Sequence, residues 1–191
     1  IVKNYSGDVM NFQMAAEMMT GPTDSVLTND DVAVEDSSFT TGRRGVAATV
    51  IVEKIVGSLA EFGGSLEECK ILGDKVNKNS GSMGVAFSSC TVPAAGKPTF
   101  ELAVDEMEFG VGIHGEPGRR RDKIKSAQEI TNELLQAIIE DLRPENNDEL
   151  LLFVNGMGGT PLSELYLVYH NAKKMLDKKN IKIARSLVGN Y

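Results

Sequence analysis

A chain of 191 residues, 41% hydrophobic and 25% charged, holds enough apolar material for one large domain or two small ones. Its net charge of −7 and pI near 4.9 argue against nucleic acid or an anionic membrane as a main partner, the local cluster Arg119, Arg120 and Arg121 aside. Cys69 and Cys90 form no CxxC or Cys/His cluster, so neither a zinc site nor a disulfide framework is expected, and apolar runs such as Leu150 to Val154 are too short to span a bilayer. These features fit a reduced, cytoplasmic setting.

Ile1 to Asn4 reads as the end of a buried strand, and with no initiator methionine ahead of it the chain reads as an excerpt of a longer protein. Ser6-Gly7-Asp8 is a turn that opens a helix over 8–19, with Val9, Phe12, Ala16 and Met19 at helical spacing, and Gly21-Pro22 stops it. Val26-Leu27 fits a short strand. The acidic residues Asn29-Asp30-Asp31 and Glu35-Asp36 then fit a solvated loop or, less well, an oxygen-rich cation site. The pattern predicts a long helix over 41–62, buried through Val46, Val50, Ile51, Ile55, Leu59 and Phe62, and ended by Gly63-Gly64. Ser65 and Glu68 form a capping-box pattern that opens a second helix through about Val76.

The texture changes at Asn77. Met83 to Cys90 is strand-like, 93–98 is a Pro/Gly loop, Phe100 to Val104 alternates, and Met107 to Ile113 leads into a glycine-rich turn. Residues 119–125 read as basic and exposed. A helix over 126–142, a strand over 150–155, a glycine turn over 156–161, a helix over 162–179 and a strand over 181–188 complete the chain. Alternating helices and strands predict an α/β fold in two parts. Residues 1–76 form part of a first domain with a mixed or parallel sheet, and 77–191 form a second α+β domain.

One of the two histidines, His114, sits in Gly110-Val111-Gly112-Ile113-His114-Gly115-Glu116-Pro117-Gly118. With little side-chain bulk around it, the ring is open to a small molecule and fits a nucleophile, a base or a ligand; a turn whose histidine merely packs is an equal reading. The segment matches G-x-G-x-x-G, but Pro117 and Gly118 follow where a dinucleotide fingerprint would open a helix, so that reading fails. Ala95-Gly96-Lys97-Pro98 lacks the glycine and hydroxyl residues of a phosphate loop. Asp8 alone fits a helix-start residue better than a catalytic carboxylate. Gly156 to Pro161 reads as a strand-to-helix connection rather than an anion site, and His170 as a packing or surface residue.

Together, several segments resemble the dihydroxyacetone-binding part of dihydroxyacetone kinases. They are Lys3-Asn4-Tyr5-Ser6-Gly7-Asp8-Val9-Met10-Asn11-Phe12, Asp30 to Val34, Gly42-Arg43-Arg44-Gly45-Val46-Ala47, Cys90 to Pro98, Glu106 to Gly118 and Asn155 to Tyr166, in the family's order and across nearly the whole chain. The resemblance implies that His114 binds the ketone covalently as a hemiaminal, that Asp8 acts as acid/base near the substrate hydroxyl, and that Lys3 contacts the substrate. It also implies a homodimer and a separate nucleotide-binding subunit or domain, which carries ADP or ATP with magnesium, so this chain itself binds no cofactor or metal. The family's upstream Gly-rich segment and second histidine have no counterpart in this sequence, and the stretch 20–26 is short against the family, so the chain alone is expected to be inactive. A non-catalytic dihydroxyacetone sensor that binds a transcriptional regulator is the alternative the family offers.

Overall fold

The structure, a computed structural model, describes residues 1–33, 42–91, 93–94, 96–114, 116 and 118–191. The chain forms two compact units, Ile1–Asp122 and Lys123–Tyr191. The change of texture at Asn77 lies inside the first unit, near the end of its third helix.

In the first unit β1 (Val2–Lys3) runs into α1 (Ser6–Glu17), and β2 (Leu27–Thr28) pairs with β1 in parallel. α2 (Ala48–Glu61) and α3 (Leu66–Lys78) follow, joined at Gly63, whose φ of 86° suits a glycine, and by a complete capping box between Ser65 and Glu68. α3 approaches the start of β2 through Gly73, where a Cβ would lie 2.5 Å from a Val26 methyl. Then come β3 (Val85–Ala86), β4 (Glu106–Phe109) and β5 (Arg120–Lys123), a small sheet in that order with β3 antiparallel to β4.

The second unit holds α4 (Ala127–Leu142), β6 (Glu149–Asn155), α5 (Leu162–Lys178) and β7 (Lys182–Gly189). β6 and β7 pair in parallel over seven residue pairs, which requires a crossover, and α5 supplies it. Leu135, Ala172, Leu176 and Ile181 form its core, with Leu150, Leu152 and Ile183 packed against them. A capping box between Ser126 and Glu129 opens α4; Arg143, in the left-handed region at φ 50°, closes it just before Pro144.

The mixed α/β character matches the sequence pattern; several local expectations do not survive. α1 starts at Ser6 and buries none of its residues, because its apolar side chains are spread around the whole circumference rather than gathered on one stripe. α2 starts at Ala48, not 41: residues 42–47 are irregular, and the carboxylate that satisfies the helix start comes from outside the local sequence. Phe100 to Val104 is not a strand. Glu106 accepts the Ala103 N–H at 3.1 Å and so bends the chain into a turn that leaves Val104 fully exposed. Of 83–90 only Val85–Ala86 pairs, and Cys90 lies in an exposed loop. The basic stretch after Gly118 is exposed as expected, and part of it forms β5 beside β4.

Candidate functional site

Two acidic residues that follow β2 organise the interior of the first unit. Asp30 and Asp31 are 0% and 3% exposed, so these two members of the expected solvated loop are buried, while Asn29 is exposed. Asp30 accepts the Val46 and Ala48 N–H groups at 2.8 and 3.1 Å and thereby caps α2, whose own N-cap, Ala47, has no side-chain acceptor. Asp31 accepts the Ala33 N–H at 2.9 Å and the Arg44 Nε–H at 2.7 Å. Burial pushes the Asp31 carboxyl above its ordinary range, against the opposing pull of the Ala33 amide and the Arg44 guanidinium. These oxygens are spent on internal donors. Among the described residues no group of three or more His, Cys, Asp or Glu is placed to hold a metal ion.

Arg44 reaches the interior from the irregular 42–47 segment and is 1% exposed. Gly45 behind it presses on β2: a Cβ there would strike the Thr28 carbonyl oxygen and, at 2.8 Å, the Asn4 nitrogen. Besides Asp31, the guanidinium donates from Nη2 to the Gly110 carbonyl at 2.6 Å and places Nη1 3.8 Å from Glu116 Oε1. It thus spans from the end of β2 to the loop between β4 and β5.

That loop carries His114. Phe109 accepts the Arg119 N–H at 2.6 Å, so the chain is closed at the base of the segment that lies between them, and among the described residues no helix opens there. Gly110 has a φ of 76°, and a Cβ there would lie 2.7 Å from Ala33 Cβ. At Gly118 a Cβ would collide with the Phe109 carbonyl. Glu108 accepts the Gly118 N–H at 3.1 Å and the Arg121 Nε–H at 3.0 Å, and the Arg120 guanidinium lies 4.8 Å from the Phe109 ring centroid. Arg120 and Arg121 are therefore engaged with their own sheet. His114 is exposed, and its backbone N–H donates to Glu116 Oε2 at 3.0 Å.

The ring of His114 meets Tyr5 in an edge contact, with 4.4 Å between centroids and an interplanar angle of 89°. Tyr5 is the N-cap residue of α1 and is 4% exposed. Lys3 ends β1 two residues before it, and Asp8 sits in the first turn of α1 three residues after it; both are half-buried. One contact therefore joins the strand–helix junction bearing Lys3 and Asp8 to the loop bearing His114. Burial, and next the negative charge of Glu116, hold the Tyr5 phenol well above its ordinary pKa. Among the described residues neither the Tyr5 hydroxyl nor Glu116 Oε1 has a hydrogen-bond partner.

Sequence reasoning assigned no role to Tyr5, Arg44 or Glu116, although all three lie inside the segments it singled out. The available signal was the charge of Arg43-Arg44 wedged between two glycines, which a solvated helix end would not need. His170 is exposed on α5 in the second unit, and Gly156 to Pro161 joins β6 to α5 as a connection. Gly115, Pro117 and the acidic pair Glu35-Asp36 lie outside the described residues.

The dihydroxyacetone-binding subunit DhaK of the PTS-dependent dihydroxyacetone kinase 1 from Listeria innocua is 48% identical over 194 residues, an alignment covering 100% of this chain and 59% of that protein. The chain thus spans well under two thirds of that relative's length. Among solved structures, the dihydroxyacetone kinase operon co-activator Dha-DhaQ superposes with a TM-score of 0.89 at 32% identity, over 99% of this chain and 59% of that one. The dihydroxyacetone kinase of C. freundii in complex with AMP-PNP and Mg2+ superposes with a TM-score of 0.81 at 29% identity, over 98% of this chain and 35% of that one. The model of the Dak1 domain matches residues 1–191, and the chain belongs to that family.

Proposed function

We propose that this chain is the substrate-capturing part of a dihydroxyacetone kinase, with His114 as the nucleophile that holds the ketone. The observation that carries this reading is the edge contact between Tyr5 and His114, which sets an exposed imidazole beside the junction that bears Lys3 and Asp8. The 48% identity to a dihydroxyacetone-binding subunit supports the choice of substrate.

In the capture step a neutral ring nitrogen of His114 adds to the carbonyl carbon. The carbonyl electron pair moves to oxygen, which gains a proton, while the ring loses its own N–H proton. The product is a neutral hemiaminal with no change in oxidation state. Glycerol has the hydroxyls but no carbonyl and so cannot be held in this way. With the substrate fixed, Asp8 takes the proton of a terminal hydroxyl as that oxygen attacks phosphorus, and Lys3 orients a substrate oxygen. The phosphoryl group comes from ATP with magnesium on a partner subunit or domain, either supplied as ATP or formed there when a phosphoprotein recharges bound ADP. A homodimer and a cytoplasmic location belong to the same proposal. Among the described residues no helix is long and apolar enough to cross a membrane.

A second reading, a dihydroxyacetone sensor that contacts a transcriptional regulator, is favoured by the superposition on the co-activator at a TM-score of 0.89. Retention of Asp8 and Lys3 favours the kinase, because capture alone needs neither. The test uses the full-length protein with dihydroxyacetone, its nucleotide-binding partner and a phosphate donor. An adduct seen by intact mass, lost in His114→Ala, and formation of dihydroxyacetone phosphate are expected. An adduct that persists in His114→Ala overturns the assignment; capture without product points to the sensor.

A further inference from the structure

Arg44 grips the His114 loop at both ends of its approach to the tip. Upstream it donates to the Gly110 carbonyl at 2.6 Å; downstream it faces Glu116 Oε1 at 3.8 Å, close enough for charge attraction but not for a hydrogen bond. Glu116, 8% exposed, turns its other oxygen to the His114 N–H at 3.0 Å. Space on the remaining side is closed by Gly112, where a Cβ would overlap the Glu116 carboxylate. A carboxylate buried this deeply is costly unless compensated, and Arg44 is the cation that faces it. Glycines at 110 and 112 leave the loop with little stiffness of its own. Its conformation must be imposed from outside, and the Glu116 carboxylate is placed to impose it.

We infer that Glu116, seated against Arg44, is a positioning residue that fixes the backbone carrying His114. This rests on the reading of His114 as the capturing nucleophile. Glu116 touches no reacting atom in this scheme; it acts through the main chain of His114, and the Tyr5 ring limits the imidazole from the opposite partner segment. Reversible addition to a ketone depends on the direction from which the ring nitrogen approaches, so loosening the loop weakens capture before it affects later steps.

The experiment compares Glu116→Gln and Glu116→Ala in the full-length protein. Gln keeps an acceptor for the His114 N–H at nearly the same volume; Ala removes it. In Glu116→Ala, hydrogen exchange across 110–118 is expected to accelerate while the rest of the first unit is unchanged. The dissociation constant for dihydroxyacetone is expected to rise about tenfold or more, as for loss of a charge-assisted hydrogen bond. Turnover at saturating substrate falls less than affinity, and Gln restores both loop exchange and affinity to within about threefold. Unchanged exchange and affinity in Glu116→Ala overturn the inference. So does equal loss of affinity in both variants without faster loop exchange, since charge and not the tether would then be the cause. Should Glu116→Ala loosen the whole unit, Gly112→Ala decides: its Cβ must displace the Glu116 carboxylate, so the same local loosening is expected and its absence is fatal. If the wild type captures no dihydroxyacetone, the reading of His114 has failed, and loop exchange still decides the tether.

Discussion

The hydroxyl of Tyr5 is buried without a partner among the described residues while its ring stands at 89° to that of His114. The residue therefore contributes through shape, as an apolar wall, and its polar end is a cost. Tyr5→Phe is expected to retain dihydroxyacetone capture within about twofold and to change stability by less than about 1 kcal/mol at neutral pH. Tyr5→Ala, which removes the wall, is expected to weaken capture about tenfold or more. Calorimetric titration of both variants checks this.

Alkaline pH reads the burial of Tyr5. An unfolded chain releases a phenolic proton near pH 10, whereas burial and the charge of Glu116 hold the Tyr5 proton to higher pH in the fold. The unfolded state thus deprotonates first. The associated stability is intact below pH of about 10 and is lost as pH rises beyond it. Tyr5→Phe is expected to raise the pH of alkaline unfolding. One tyrosine's share of phenolate absorbance should appear only as the wild type unfolds, and should be missing from the variant.

Asp8 and Lys3 are expected to separate capture from transfer. Asp8→Asn keeps the side-chain volume in the first turn of α1 but cannot accept the hydroxyl proton, so adduct formation persists while product formation slows by about a hundredfold or more. Lys3→Met is expected to raise the concentration of dihydroxyacetone needed for half-saturation. Intact mass and steady-state turnover, measured on the same preparations with the nucleotide-binding partner, read the two effects.

Removing the Asp30 carboxylate should destabilise the first unit by about 2 kcal/mol or more, combining a lost helix cap with newly unsatisfied N–H groups at Val46 and Ala48. Asp30→Asn, which keeps one acceptor, should lose less than Asp30→Ala. Urea unfolding followed by far-ultraviolet dichroism measures the difference.

Gly73→Ala sets two effects against each other. Alanine gains up to about 1 kcal/mol of helix propensity in α3, but its Cβ would lie 2.5 Å from Val26 and 3.2 Å from Val56. Both neighbours are branched at Cβ and stiff, and overpacking costs about 1–3 kcal/mol. Net destabilisation is expected, seen as a lower urea midpoint.

The parts of the fold that could be read from sequence are those in which local chemistry and packing agree. The capping box at Ser65 lies where the pattern puts it, and β6, α5 and β7 follow their periodicity because one continuous core fills between them. α1 was legible as a helix but not as an exposed one, since apolar content alone does not say that a stripe exists. The 42–47 segment reads as part of the helix because the apolar stripe begins inside it, at Val46. Its true course depends on Asp30 and Asp31, whose partners are remote in sequence. For the candidate site, spacing could nominate His114 but not its neighbours. Tyr5 and His114 meet only after two distant segments converge, and only the motif resemblance, not periodicity, links His114 with Lys3 and Asp8 of the other segment.

Asp30 and Asp31 are adjacent, yet one faces the start of α2 and the other faces Arg44. Connecting segments ordinarily absorb insertions and deletions with little penalty. Here a single added or deleted residue would move each carboxylate into the other's direction, depriving the helix start and the guanidinium at one stroke. The short stretch leaving β2 is thus a fixed-length spacer, and changes in chain length should be tolerated elsewhere on the surface before they are tolerated there.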